Sequence, residues 1–160
     1  MLVLTFRVAG VAYGVAVARV VEVVPRVGIR PLPHAPAHLV GLLRYRSGAV
    51  PVVDLGLLMA AGPCRDRLDT RIILVDARGP GGPAPSWLGL VAERVEDVLA
   101  VEEARRAAAG PEIREAPYLG AIYETDAGLL QLVEPGRIAA GSTPMPTPIS
   151  TPTRAEEGGA

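Results

Sequence analysis

Lysine and asparagine are absent from this 160-residue chain, cysteine occurs once, and the aromatic side chains are limited to Phe6, Tyr13, Tyr45, Trp87, Tyr118 and Tyr123. The lone Cys64 excludes a disulfide framework and a Cys-rich structural zinc site. So few aromatics leave the core to small aliphatics and offer few platforms on which nucleic-acid bases stack. Sixteen arginines face seventeen acids for a net charge of −1, with both signs scattered, so the chain lacks the basic footprint of a phosphate-backbone binder. No nucleic-acid partner is expected. Long apolar runs are missing too: the longest uncharged one, residues 8–18, is about half of the ~20 residues a membrane-spanning helix needs, so no direct membrane insertion is expected. Arg7 before that run and Ala16-Val17-Ala18 at its end give it a superficial likeness to a signal-peptide core, but Gly10, Tyr13 and Gly14 interrupt it and it alternates as an h-region need not.

What the chain does contain is 49% apolar residues, with Gly (18) and Pro (16) together close to a fifth of the whole. Long helices are scarce on that composition, and a single domain of about 150 residues can bury roughly two thirds of its unfolded surface. Leu2, Leu4, Phe6 and Val8 alternate with Val3, Thr5 and Arg7, Ala9-Gly10 supplies a turn, and Val11, Tyr13, Val15 and Val17 resume the alternation, so an antiparallel hairpin opens the fold. Further strands are predicted at residues 39–46, 49–53, 71–75, 87–92, 119–124 and 129–133, each bounded by Pro or Gly. Asp54 can cap a short helix over 55–60, and Val91, Val95, Val98 and Leu99 lie on one helical stripe that extends to 109, although 98–101 serves equally well as a strand. Several short strands at close spacing argue for small barrels or a sandwich. The Pro-interrupted glycines of 78–85 read as a flexible loop without a phosphate cradle, and the Thr/Pro-rich stretch 141–160 reads as a disordered tail.

An internal repeat organises the rest. Gly14, Val15, Arg19, Val20 and Val23 line up with Gly89, Leu90, Arg94, Val95 and Val98 at an offset of 75 residues. In the same order, Gly41-Leu42-Leu43 and Val50-Pro51-Val52-Val53-Asp54 have counterparts in Gly120-Ala121-Ile122 and Leu130-Gln131-Leu132-Val133-Glu134, at offsets of 79 and 80. The expected domain spans 1–140 as two similar halves, about 1–70 and 71–140. An internal copy near Gly89 cannot be cleaved, which also speaks for the first copy as part of the fold.

No catalytic constellation is visible. Ser47 lacks the flanking glycines of a nucleophile elbow, and Pro36 between His34 and His38 disfavours the helix that would make them a metal pair. Cys64 lies near Arg65 and Arg67, whose charge would lower its pKa, but it has no base or resolving thiol beside it and reads as a bystander. Asp54 is explained by capping. No cofactor, ligand pocket or phosphoacceptor is evident. Arg44 and Arg46 are the oddity: strand alternation would place both on the face of Leu42, with Leu43 and Tyr45 opposite. Like charges on an apolar strand need an acid or a partner. Glu22, within the apolar run 20–24, is the acidic counterpart, and an ion pair between Glu22 and Arg46 is expected unless both side chains simply reach solvent.

The ordered set Phe6, Tyr13-Gly14-Val15, Val20-Val21-Glu22-Val23, Pro31-Leu32-Pro33, Ala35-Pro36, Val40-Gly41-Leu42-Leu43, Arg46 and Val50-Pro51-Val52-Val53-Asp54-Leu55 resembles the CheW-like domain of bacterial chemosensory coupling proteins. The resemblance continues through 71–75, 88–95 and 119–133. It implies a mainly β fold of two small SH3-like β-barrel subdomains packed on a shared hydrophobic core, with short helices. It implies a non-catalytic adaptor, cytoplasmic and at the inner face of the membrane through receptor arrays. Its partners would be the regulatory domain of a CheA-type histidine kinase and the cytoplasmic tip of a chemoreceptor. The family's Asn-Leu-Arg-Gly signature falls on Arg44-Tyr45-Arg46-Ser47, keeping only the arginine, and the second-half Asp of the family falls on Glu93. The Arg-Tyr-Arg form resembles coupling proteins of Wsp-type surface-sensing systems. By motif, Arg46, Glu22, Gly41, Arg44 and Tyr45 are the expected partner-binding residues; the plain alternative for Gly41 is a backbone position without room for a Cβ.

Two other classes compete: a nucleic-acid-binding small β-barrel, a role such folds often serve, and a small enzyme using Cys64 or His34 and His38. Stacking aromatics and a basic groove are wanting for the first, and a general base is wanting for the second.

Overall fold

The computed structural model describes residues 1–78, 86–108 and 112–141. Eleven strands fall into two sheets among these residues. In chain order they are β1 (Leu2–Val8), β2 (Val11–Ala16), β3 (Val20–Pro25), β4 (Ile29–Arg30), β5 (Leu39–Tyr45), β6 (Gly48–Asp54), β7 (Arg71–Asp76), β8 (Trp87–Ala92), β9 (Val98–Ala100), β10 (Leu119–Thr125) and β11 (Gly128–Val133). Two short helices, α1 (Leu55–Leu58) and α2 (Pro135–Gly141), follow β6 and β11.

The opening hairpin forms as its alternation requires, with Phe6 opposite Tyr13 and Val8 opposite Val11. Ala9 and Gly10, both at positive φ (49° and 80°), make its turn. One sheet, barrel I, runs β10-β11-β2-β1-β9, and the other, barrel II, runs β3-β7-β8-β6-β5-β4. Both orders cross the chain: the β1–β2 hairpin sits between β11 and β9, while β7–β8 sits between β3 and β6. Two parallel ladders make the crossing, β11 with β2 (Leu132 opposite Gly14) and β6 with β8 (Val52 opposite Gly89). Displacing Gly14 by 75 residues and Val52 by 80 turns one ladder into the other. Each barrel thus holds strands from both sides of residue 70, joined by an exchanged hairpin.

Period-two burial distributes side chains among three apolar clusters. On β1, Leu4, Phe6 and Val8 face the layer between the barrels, as do Ile73 and Val75 of β7 and Leu88, Leu90 and Ala92 of β8. Ile72, Leu74, Val91, Val50 and Val52 fill barrel II, and Val3, Leu130, Tyr123 and Val101 fill barrel I. β7 is buried on both faces, which explains its unbroken Ile-Ile-Leu-Val run. Each such side chain removed fully from water contributes about 1.5–3 kcal/mol. The repeated glycine has a steric cause: a Cβ on Gly89 would lie 3.0 Å from Ile72 Cγ2 and 3.1 Å from Val52 Cγ2, and one on Gly14 would overlap Val3 Cγ1.

Several expectations need correction. The helical stripe over 91–109 does not form: β8 ends at Ala92, Val98–Ala100 pairs with β1, and only a single 3-10 turn at Glu103–Arg105 follows. As a strand the segment covers the open edge of β1 and carries Val101 into the barrel I cluster beside Val3, which a helix over 91–109 would not do. β3, β4 and α2 are additions to the expected elements. Arg46 is not a strand residue, because β5 ends at Tyr45 and Arg46 sits in the β5–β6 turn with φ 55°. Residue 141 closes α2, and the readings of 79–85 as a loop and of 142–160 as a tail lie outside the described residues.

Candidate partner-docking site

Four of the five expected site residues belong to β5 and the turn that follows it. Barrel alternation buries Leu39, Gly41 and Leu43 and leaves Arg44 exposed, with Leu42 half-buried on the same outward side. Tyr45 packs with Trp87 at the margin of the barrel II cluster, ring centroids 5.7 Å apart and planes at 61°. The turn then carries the exposed Arg46 back over both rings, its guanidinium carbon 5.2 Å from the Tyr45 centroid and 5.8 Å from that of Trp87. A cation over two aromatic faces is stabilised by their quadrupoles. Beyond the ring, the Tyr45 hydroxyl donates a hydrogen bond to the carboxylate of Glu22 on β3. That bond, more than desolvation, holds the Tyr45 phenol above its ordinary pKa.

Glu22 and Arg46 are therefore neighbours of one tyrosine instead of an ion pair. The five ion pairs among the described residues do not include them. The difference follows from the turn: a left-handed residue at 46 redirects the guanidinium onto the aromatic rings. Trp87 belongs to the group but carries no motif, and nothing in the sequence places β8 against the β5–β6 turn. Gly41 is a backbone position. Its φ is 153°, it sits at a bulge in the β5–β6 ladder, and a Cβ there would overlap the Arg30 carbonyl and lie 2.8 Å from Ile29 Cγ2. Arg44 stands opposite Ala49 and is not drawn into the aromatic group.

The residues weighed for chemistry are dispersed. Asp54 is buried, and its carboxylate caps α1 through the Leu57 N–H at 3.1 Å while also accepting from the Cys64 N–H. Cys64 is buried as well. Desolvation, reinforced by the Asp54 charge, pushes its thiol up to about 12, opposite to the lowering expected from Arg65 and Arg67. His34, at φ 61°, and His38 lie in the loop between β4 and β5, and no group of three potential metal ligands occurs among the described residues. No helix among them is long and apolar enough to cross a membrane.

Comparison with protein families matches residues 2–142 to the CheW-like domain. The chain belongs to the CheW-like family. It is similar to the crystal structure of the scaffolding protein TtCheW from Thermoanaerobacter tengcongensis, with a TM-score of 0.71, 25% identity, and 82% of each chain covered. A search of curated protein sequences gave no match. The CheW-like fold accounts for the two barrels and their common apolar layer. Family membership also decides between the competing classes: the chain is a non-catalytic adaptor of chemosensory signal transduction that couples chemoreceptors to a CheA-type histidine kinase, and not an enzyme.

Proposed function

We propose that the end of barrel II formed by Arg46, Tyr45, Trp87 and Glu22 is where this adaptor engages its partners. The regulatory domain of the kinase and the cytoplasmic tip of the receptor would be the bound elements. The observation that carries the reading is the exposed Arg46 guanidinium, held in place by two rings yet without a carboxylate of its own among the described residues. A charge oriented by the protein can pair with a partner's carboxylate without first losing an internal ion pair, and fixed charges set register and suppress wrong partners. Glu22 adds the opposite sign beside it, and Arg44 a further exposed cation. Gly41 contributes by shaping the strand beneath, not by contact.

In this reading the protein works in the cytoplasm at the inner face of the membrane, drawn there by receptor arrays. The Arg44-Tyr45-Arg46 form of the turn favours a Wsp-type surface-sensing system. Reconstitution with receptor-bearing membranes and the cognate kinase tests the proposal. Arg46→Glu should lower kinase co-sedimentation and receptor-controlled autophosphorylation while circular dichroism and thermal melting stay as in the parent. Undiminished coupling by a folded Arg46→Glu protein would refute it.

A further inference from the structure

At the opposite end of barrel II, three segments far apart in sequence close a cleft of about 480 Å³. They are the β1–β2 turn, the loop after α1, and the two residues that follow β8. β6 runs from the Arg46 turn to Asp54 beside this cleft, and at about 3.3 Å per residue its seven residues set the two ends roughly 20 Å apart. The cleft is thus separate from the docking site, and a ligand bound in it would be independent of that reading.

Four arginines are among its lining residues, Arg7, Arg65, Arg67 and Arg94, against a single acid, Glu93, which leaves a lining charge of +3 in a chain whose total is −1. The carboxylate is engaged internally, since Glu93 Oε1 accepts from the Arg65 N–H at 2.7 Å. Arg7 Nη1 donates to the Gly10 carbonyl at 2.7 Å. Among the described residues Arg65, Arg67 and Arg94 form no ion pair, as is true also of Arg19, Arg30, Arg44, Arg46 and Arg71, and Asp66 between Arg65 and Arg67 pairs outward with Arg26 at 4.0 Å. What sets the three apart is that they converge on one cleft. Their base is firm: the Cys64 N–H, one residue before Arg65, is held by buried Asp54 at 3.1 Å. The space beside Gly10 and Gly62 is open, as a Cβ at either would touch nothing within 4 Å.

The geometry points to a binding site for a small anion carrying two or more phosphate groups. A volume of this size falls in the usual range for small-molecule sites, about 300–1,000 Å³. Guanidinium forks pair with phosphate oxygens bidentately. Two phosphate groups bring about −3 to −4 of charge and six acceptor oxygens on two adjoining tetrahedra, matching the excess of the lining. Citrate carries a comparable charge spread over three planar carboxylates on separate arms and so separates phosphate geometry from charge alone. None of the aromatic side chains lines the cleft, so recognition rests on the phosphates and not on stacking of a base.

Calorimetric titration of the full chain with pyrophosphate, ADP and citrate tests the assignment. Saturable one-to-one binding of pyrophosphate is expected, with ADP within about threefold of it, citrate at least tenfold weaker, and affinity falling as salt screens the charges. Arg65 and Arg67 are exposed, so the double variant R65A/R67A should fold normally, as melting would verify, and bind pyrophosphate at least about tenfold more weakly. Arg94→Ala, probing the third segment, should weaken it in the same direction. No saturable binding at millimolar pyrophosphate, equal binding by the folded double variant, or citrate binding as well as pyrophosphate would each overturn the proposal.

Discussion

The hydroxyl of Tyr45 donates to the carboxylate of Glu22, and in doing so ties the end of β5 to β3, strands separated by three others in the order of barrel II. The bond closes the barrel seam at the point where Arg46 emerges. It also explains why an acid and a base close together do not pair: the phenol satisfies the carboxylate, and the rings of Tyr45 and Trp87 receive the cation. Charge is left facing outward.

Tyr45 and Arg46 can be separated by mutation. Tyr45→Phe keeps the ring under Arg46 but removes the Glu22 bond, so it should lower the melting temperature slightly and retain most coupling, whereas Tyr45→Ala should lose coupling as fully as Arg46→Glu. Arg46→Gly offers a sharper test, since a non-glycine residue in the left-handed region costs about 1–2 kcal/mol and the lost cation–aromatic contact is worth about 0.5–1 kcal/mol at an exposed site. Its urea midpoint should equal or exceed the parent's while coupling falls. A large drop in the midpoint would mean that Arg46 is chiefly structural.

Gly41 should behave as a folding residue. With φ at 153° and the Arg30 carbonyl in the way, Gly41→Ala is expected to cost at least about 2 kcal/mol in urea denaturation. Gly14→Ala, which crowds Val3 inside barrel I, should cost about 1–3 kcal/mol. A stable Gly41→Ala protein with selective loss of kinase binding would assign Gly41 to contact instead.

Asp54→Ala removes the cap of α1 and leaves the Cys64 N–H unsatisfied, a loss of about 2–4 kcal/mol by chemical denaturation. Asp54→Asn, which retains one acceptor, should lose less. Equal losses would show that charge, not hydrogen bonding, is what matters there.

Stability should decline in alkali. Burial holds the Cys64 thiol near 12 against an ordinary 9.0, and it also raises Tyr13, Tyr118 and Tyr123, while the Glu22 bond is the main cause for Tyr45. Groups whose folded pKa is raised keep their protons in the native state after the unfolded chain has lost them. The Cys64 contribution is intact below pH 9.0 and is lost as pH rises toward 12, and the tyrosines, whose ordinary value is 10.0, add to the loss above it. Urea midpoints should hold to about pH 9 and fall steadily from there to about pH 11, and Cys64 should resist thiol reagents until the protein unfolds.

Much of the fold is legible locally. Strict alternation and the Ala9-Gly10 turn specify the first hairpin, and an acid placed directly before Leu55 specifies α1. The 91–109 segment is not legible, because its apolar spacing suits helix and strand alike and only the ladder with β1 decides. Nor does periodicity say which strand lies beside which, so the crossing of hairpins between barrels cannot be read from the repeat that encodes it. At the proposed docking end, the motif names Arg46, Tyr45 and Glu22, but alternation alone extends the strand one residue too far. An arginine with positive φ gives no signal in sequence, and neither does Trp87 folding in from β8. The cleft depends wholly on tertiary structure, since its arginines are ordinary when viewed one segment at a time.

The exchanged hairpins have a consequence for the integrity of the chain. A cut at the fully solvated Leu68, 98% exposed, would yield an amino-terminal piece holding β1 to β6 and a carboxy-terminal piece holding β7 to β11, neither of which contains all the staves of either barrel. Each fragment made alone should stay unfolded, and the two expressed together should reassemble into one particle. The two copies are bound by reciprocity: what one lacks to close its ring, the other lends.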